Sequence, residues 1–299
     1  MRPIDFIKMS AAGNDFIIID KFRSRPLTSP GAEKPEDTPR LCPSTGSGLR
    51  SGQGSQISEL AKELCQRKLS IGADGLLLIE PSEKADFKMR IFNPDGKEVE
   101  MCGNGARCVA LYAVKKGSCS DKMIIETQAG SLEAEVEKDK IKIKLVCSKN
   151  LRLKFDLNIN SQVYKLSYIN TGVPHVVCFV RDLDNFDVEG VGRAIRYHGE
   201  FQPEGTNANF VEIVDKSYIK IRTYERGVEQ ETLACGTGSA AAVLVSASLK
   251  KVNPPVSVQT RGGEVLKVYF DDAELENVWL EGGARVIYKG EVGNKMHGR

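Results

Sequence analysis

The chain's 299 residues carry 42 basic and 40 acidic side chains mixed along its length, so a formal charge of +2 offers no basic surface for nucleic acid and no polycationic segment for an anionic membrane. No apolar run approaches the length of a membrane span, and the opening MRPIDFIKMSAAGNDFIIID enters a strand pattern at once instead of forming a signal-peptide core, which predicts a cytoplasmic protein. At this length two domains of about 150 residues are expected.

From Asp5 to Asp20 the pattern is β, interrupted at Ser10-Ala11-Ala12-Gly13-Asn14. Between Arg23 and about Gln56 the chain turns to Ser, Pro, Gly and Thr with almost no periodic apolar residues, the composition of a flexible insertion. Helical spacing resumes from Ile57 to Arg67, and Gly72-Ala73-Asp74-Gly75 leads into the strand LLLIE. The stretch FNPDGKEVEMCGNGARCVALYAVKK, Phe92 to Lys116, then reads as a strand, a turn at Pro94-Asp95-Gly96, a cysteine and a helix stopped by Gly117. Cys102 sits where that helix begins, where unpaired backbone N–H groups favour thiolate over thiol. Strands follow at Lys122–Thr127, Ser131–Glu137 and Ile141–Val146, with the alternation of a half-exposed antiparallel sheet.

The second half repeats the plan. YERGVEQETLACGTGSAAAVLVSASLKK, from Tyr224, is again a strand end, a glycine turn, a cysteine and a small-residue helix, here closing on Lys250 and Lys251, and it makes Cys235 the counterpart of Cys102. Gly72 and Gly205, Cys102 and Cys235, Thr127 and Thr260 are all 133 residues apart, whereas Gly13 and Gly172 are 159 apart. The 26 extra residues of the first half fall between Asp20 and Gly72, in the Ser/Pro/Gly stretch. This counting predicts two pseudo-equivalent lobes, 1–147 and 148–283, with a closing strand in 284–299 that returns to the first lobe. The last strand, Arg285–Val292, has no place left in the second repeat.

Eight cysteines are present, at 42, 65, 102, 108, 119, 147, 178 and 235, with no C-x-x-C pair and no His partner at zinc-finger spacing. A long chain without a secretory signal is read as reduced. Cys65, Cys108, Cys147 and Cys178 lie in apolar contexts as small core residues, and Cys42 and Cys119 lie in polar, loop-like sequence. Only Cys102 and Cys235 share a setting. Two such groups facing one cleft can take a proton from one face of a carbon and return one to the opposite face, provided one starts as thiolate and the other as thiol. The N–H groups around Gly103-Asn104 and Gly236-Thr237 then supply dipoles for a carbanion beside a carboxylate, with no cofactor and no metal called for. Val109, Tyr112 and Ala113, with Val243 and Leu244, read as core. Taken alone, Asn14 and Asn207 read as turn residues, Glu225 and Arg226 as a solvated pair, and His175 as a satisfied structural histidine or a catalytic one.

GNDF at Gly13, FNPDGKEVEMCGNGARC, PH at Pro174-His175, GTNANF at Gly205, YERG at Tyr224 and ACGTG at Ala234 together resemble diaminopimelate epimerase, over the whole chain except the insertion. The resemblance implies two similar α/β lobes, each a curled, mostly antiparallel sheet or barrel around a central helix, with the active site in the cleft between them. It implies pyridoxal-independent interconversion of LL- and meso-2,6-diaminopimelate, in lysine and peptidoglycan synthesis, by a homodimeric enzyme. Carried over by position, Cys102 and Cys235 are the acid and base. Asn14, Asn93, Gly103, Asn104, Asn207, Glu225, Arg226, Gly236 and Thr237 bind a small amino-acid substrate, His175 and Glu225 support catalysis, and Tyr288 stands at the dimer contact. The chain departs from the family pattern at Ser10-Ala11-Ala12, where H-G-x is common before GNDF, at Val173, where many members have asparagine, and at Gly75, where some have glutamine. A proline or hydroxyproline racemase on the same two-cysteine plan, and a thiol-redox protein with a regulatory pairing of Cys102 and Cys235, are the alternatives.

Overall fold

The computed structural model describes residues 3–21, 53–145, 148–271 and 276–293. Residues 23–52 of the Ser/Pro/Gly stretch, with Cys42 and Cys147, lie outside them. The last four residues of that stretch are not loop: Gln53–Gln56 open the first helix, α1 (Gln53–Leu64), four residues earlier than the apolar spacing predicts. The polar start of an amphipathic helix has no apolar residue to announce it.

The first half runs β1 (Ile4–Ala11), β2 (Asn14–Asp20), α1, β3 (Gly75–Glu80), β4 (Phe87–Phe92), β5 (Glu98–Val99), α2 (Gly103–Lys116), β6 (Lys122–Thr127), β7 (Gly130–Glu137) and β8 (Lys140–Lys144), followed by β9 (Ser148–Ile159). The second runs β10 (Gln162–Asn170), β11 (Pro174–Phe179), α3 (Val188–Arg196), β12 (Asn207–Ile213), β13 (Tyr218–Glu225), β14 (Gln230–Thr232), α4 (Gly236–Ser248), β15 (Val256–Gln259), β16 (Val265–Asp271) and β17 (Glu276–Gly283), followed by β18 (Arg285–Val292). The interruption between β1 and β2 narrows to a two-residue hairpin turn, Ala12 (φ 49°) and Gly13 (φ 84°), both in the left-handed region that such turns require.

Pairing follows the repeat strand for strand. β1–β2 is antiparallel and β2–β3 parallel, as β10–β11 is antiparallel and β11–β12 parallel; β4–β6 and β13–β15 are both parallel, and β6–β7–β8 and β15–β16–β17 both meander. The halves join where β8 lies antiparallel to β17, Ile143 opposite Leu280. Each repeat also ends with a strand that pairs onto the first strand of the other repeat: β9 with β10, and β18 with β1 from Ile4↔Val292 to Ser10↔Arg285. The closing strand is therefore one of a matched pair of exchanged strands, and the resulting sheet is continuous but not closed.

The sheet of each lobe curls around one helix. α4 is buried on every side from Gly238 to Ser246, and α2 from Asn104 to Leu111. A helix apolar all round is stable only when enclosed, and the run of Ala and Gly in α4 lets strands approach it closely. Val109, Ala113, Val243 and Leu244 lie in the core as the sequence predicts, whereas Tyr112 is half-buried, its hydroxyl donating to Asp20 Oδ2 at 2.8 Å. α2 ends at Gly117 (φ 74°), whose counterpart 133 residues on, Lys250, adopts the same left-handed conformation at φ 57°. Among the described residues, no helix is long and apolar enough to cross a membrane.

Candidate active site

Each repeat's cysteine is the last non-helical residue before a helix. Cys102 (φ −142°, ψ 120°) precedes α2 and Cys235 (φ −125°, ψ 113°) precedes α4, both extended, so each sulfur stands beside unpaired N–H groups of a first turn. The N–H groups of Asn104 and Gly105 point to the Cys102 sulfur. The N–H of Gly238 and the hydroxyl of Thr237, 3.5 Å from Sγ, serve Cys235.

Both helix starts rest on the β8–β17 seam. A Cβ at Gly103 would lie 3.2 Å from Ile143 Cδ1 and one at Gly236 2.8 Å from Leu280 Cδ2, and those two aliphatic residues are register partners across the seam. This brings residues far apart in sequence close together: a charge on Cys102 acts on Cys235, and Glu225 acts on both.

The thiolate that the sequence predicts at these helix starts is not the form the surroundings favour. The N–H groups do pull each pKa down, but burial outweighs them, pushing Cys235 up to about 12 and raising Cys102 as well. Few water dipoles remain to stabilise the charge, and the neighbouring Glu225 carboxylate repels it. Burial therefore works against the thiolate at both positions, and the first-turn N–H groups work for it.

The other predicted residues fall into two groups. Asn14, at the start of β2, meets Asn104 directly, Asn104 Nδ2 donating to Asn14 Oδ1 at 2.7 Å. Asn207 is buried, donating from Nδ2 to Pro174 O (3.0 Å) and accepting the Arg226 N–H (2.8 Å). Glu225 and Arg226 are not a solvated pair: Glu225 Oε2, at the end of β13, accepts from Thr232 (2.9 Å), and Arg226, in the turn that follows, donates to Glu204 O (2.9 Å). Burial pushes the Glu225 carboxyl up in pKa. Asn93 is exposed on the turn that enters the cysteine segment and, among the described residues, makes no side-chain hydrogen bond to the other candidates.

His175 has no exposed surface and is in register with Asn207 across β11 and β12. Its Nδ1 lies 3.1 Å from Asn209 Nδ2, which also donates to Val176 O (2.8 Å), while Asn209 Oδ1 accepts from Thr223 (3.0 Å). The amide nitrogen thus faces the ring, so Nδ1 accepts and the ring proton is on Nε2. Burial and then the Arg226 charge push its pKa down to about 3. It is a neutral histidine at any working pH.

Sequence reasoning missed Asn209, Asp74 and Arg107. Arg107 carried a signal, a charge in the middle of an otherwise apolar helix and one turn after Asn104; Asp74 and Asn209 carried none beyond lying inside the stretches Gly72-Ala73-Asp74-Gly75 and GTNANF. Tyr288, on the β18 edge, is 43% exposed and packs edge-on against Phe6 with ring centroids 5.8 Å apart.

Residues 49–148 and 167–287 match the family model described as diaminopimelate epimerase. The diaminopimelate epimerase of Aquifex aeolicus is 39% identical, the alignment covering 98% of this chain and 99% of that protein. That of Methanothrix thermoacetophila is 36% identical over 99% and 98%. Solved structures share the fold at low identity: a Bacillus anthracis phenazine biosynthesis protein of the PhzF family (TM-score 0.67, 18% identity, 98% of this chain and 100% of that one), and a probable proline racemase from Agrobacterium radiobacter (TM-score 0.63, 15% identity, 98% and 93%).

Proposed function

Because this chain belongs to the diaminopimelate epimerase family, we propose that it interconverts LL- and meso-2,6-diaminopimelate in the cytoplasm, on the route to lysine and peptidoglycan, with Cys102 and Cys235 as its two proton carriers. The observation that carries the reading is the placement of the two cysteines at the starts of two enclosed helices that rest on one seam, within each other's field. One sulfur, as thiolate, takes the α-proton; the electron pair left on carbon delocalises into the carboxylate, and the opposite S–H returns a proton to the other face. The sulfurs leave the turnover with their protonation exchanged, which is why each direction starts from the opposite form. N–H groups at Gly103-Asn104 and Gly236-Thr237 meet the growing carboxylate charge. Asn14, Asn93, Asn104, Asn207, Glu225 and Arg226 hold the substrate's ammonium and carboxylate groups, and neutral His175 supports the reacting centre with a hydrogen-bonding proton that costs no charge burial.

The test is α-proton exchange in heavy water with LL-diaminopimelate and L-proline offered separately. Exchange with the first alone supports the reading; exchange with proline alone makes the chain a proline-type racemase, and exchange with neither removes both. Cys102→Ala and Cys235→Ala each lower turnover by at least about 10³-fold, the scale of a lost acid or base, with the fold retained. Substantial turnover by either variant refutes the two-base assignment. We further propose a homodimer formed on the β18 edge, where Ile287 and Tyr288 are about half exposed; light scattering of Tyr288→Glu, expected to be monomeric, tests it.

A further inference from the structure

Among the described residues Arg107 is the largest fully buried side chain, and the proton-transfer scheme does not use it. It lies on α2 one turn after Asn104, whose Oδ1 accepts from its Nη2 at 2.9 Å. Asn104 Nδ2 then donates to Asn14 Oδ1 (2.7 Å), and Asn14 Nδ2 to Asp74 Oδ2 (3.1 Å). The Asp74 carboxylate is itself held by Arg67 Nη2 on Oδ1 (2.7 Å) and by the Asp15 N–H on Oδ2 (3.1 Å). The other end is fixed as well: Arg107 Nε donates to Gly283 O at 3.4 Å, Glu264 accepts the Gly283 N–H at 3.2 Å, and a Cβ at Gly282 would lie 3.0 Å from the guanidinium carbon.

The chemistry of the two ends decides the direction of this chain of bonds. A guanidinium only donates and a carboxylate only accepts, so both asparagine amides between them must point oxygen toward Arg107 and nitrogen toward Asp74. Each amide nitrogen carries two protons and spends one in the chain, so each retains one N–H for a carboxylate in the cleft. Flipping either amide would set oxygen against oxygen or nitrogen against nitrogen and present a lone pair there instead. The anchor at Gly283 belongs to β17, across the lobe seam, so the amide polarity of the first lobe is referenced to the second.

We propose that Arg107 is a positioning residue, which, with Asp74 at the other end, locks Asn14 and Asn104 as hydrogen-bond donors to the substrate; the assignment rests on the epimerase reading above. A structural role makes a different forecast. Arg107 Nη1 has no hydrogen-bond partner among the described residues, so the guanidinium is an incompletely paired buried charge, and replacing such a charge by an apolar side chain of similar volume is often neutral or stabilising. Arg107→Met should therefore melt no lower than wild type while losing about 10- to 100-fold in kcat/KM, the range for a charged hydrogen bond removed from a binding array. Most of the loss should appear in KM. Arg107→Lys, which is also donor-only and reaches the same turn, should recover most of it.

The experiment measures epimerisation kinetics and melting of wild type, Arg107→Met and Arg107→Lys, together with the side-chain amide 15N–1H signals of Asn14 and Asn104, assigned by substituting each. The amide signals need no substrate, so they separate this inference from the choice of reaction: both should exchange slowly in wild type and Arg107→Lys and broaden or exchange fast in Arg107→Met. Unchanged amide signals in Arg107→Met overturn the proposal. So does a fall in melting temperature and activity together in that variant, or a lysine variant that folds and is no better than the methionine one. A wild type inactive on diaminopimelate but with the amide pattern dependent on Arg107 overturns the substrate instead, leaving the lock in place.

Discussion

The neutrality of His175 can be weighed through folding stability. Its folded pKa lies near 3 against an ordinary 6.5, because protonation would place a charge in a dry site against Arg226. The depressed value means that the unfolded chain binds a proton the native state refuses between these limits, so the contribution is fully present above pH 6.5 and is lost as pH falls toward 3. The whole shift corresponds to on the order of 5 kcal/mol, and at pH 4.5, two pH units below the unfolded pKa, the loss is roughly 3 kcal/mol. His175→Gln removes the titration while keeping a polar side chain beside Asn209. Urea unfolding of both proteins at pH 7.5, 5.5 and 4.5 isolates the histidine, since other titrating groups are common to the two. Wild type should lose about 3 kcal/mol more than the variant between the extremes, although the variant starts lower at pH 7.5. Parallel pH curves would refute the buried, neutral assignment.

At alkaline pH the sign reverses. Cys235 is raised from 9.0 to about 12 and Cys65 and Cys178 to about 11, so the stability held by neutral thiols is present below pH 9 and declines above it; Cys235→Ala should show a shallower decline, and an identical one would contradict its burial as a thiol. Gly238→Ala should cost about 1–3 kcal/mol and most of the activity, since its Cβ would lie 2.4 Å from Asn209 Oδ1 and 3.2 Å from Cys235 Sγ, whereas the equivalent Gly105→Ala meets only the movable end of Leu77 at 3.1 Å and should be milder; equal effects on melting and turnover would contradict the contrast. Truncation after Gly283 removes β18 and uncovers the edge of β1 with Phe6, and should lower melting temperature and kcat together; a truncated protein that melts normally and turns over at the wild-type rate would show that β18 does not hold the lobes in register.

The repeat was legible in the sequence because it is carried by residues whose backbone demands are local. Gly72 and Gly205 (φ 74° and 65°) and Gly13 and Gly172 (φ 84° and 96°) occupy matching left-handed positions, and Thr127 and Thr260 each donate to a turn carbonyl, so a constant offset in residue type was an offset in structure. The two cysteines at helix starts were legible for the same reason: turn glycines before and small helix formers after fix a helix start without help from the rest of the chain. Tertiary structure alone decided what depends on enclosure or on partners distant in the chain. Burial is a sum over everything packed around a group, and it opposes the thiolate that the helix starts favour at Cys102 and Cys235 and keeps His175 neutral. The run of bonds from Gly283 through Arg107, Asn104 and Asn14 to Asp74 joins residues up to 176 apart; no local preference encodes such a bond, because only the curled sheet brings its two ends within hydrogen-bonding distance.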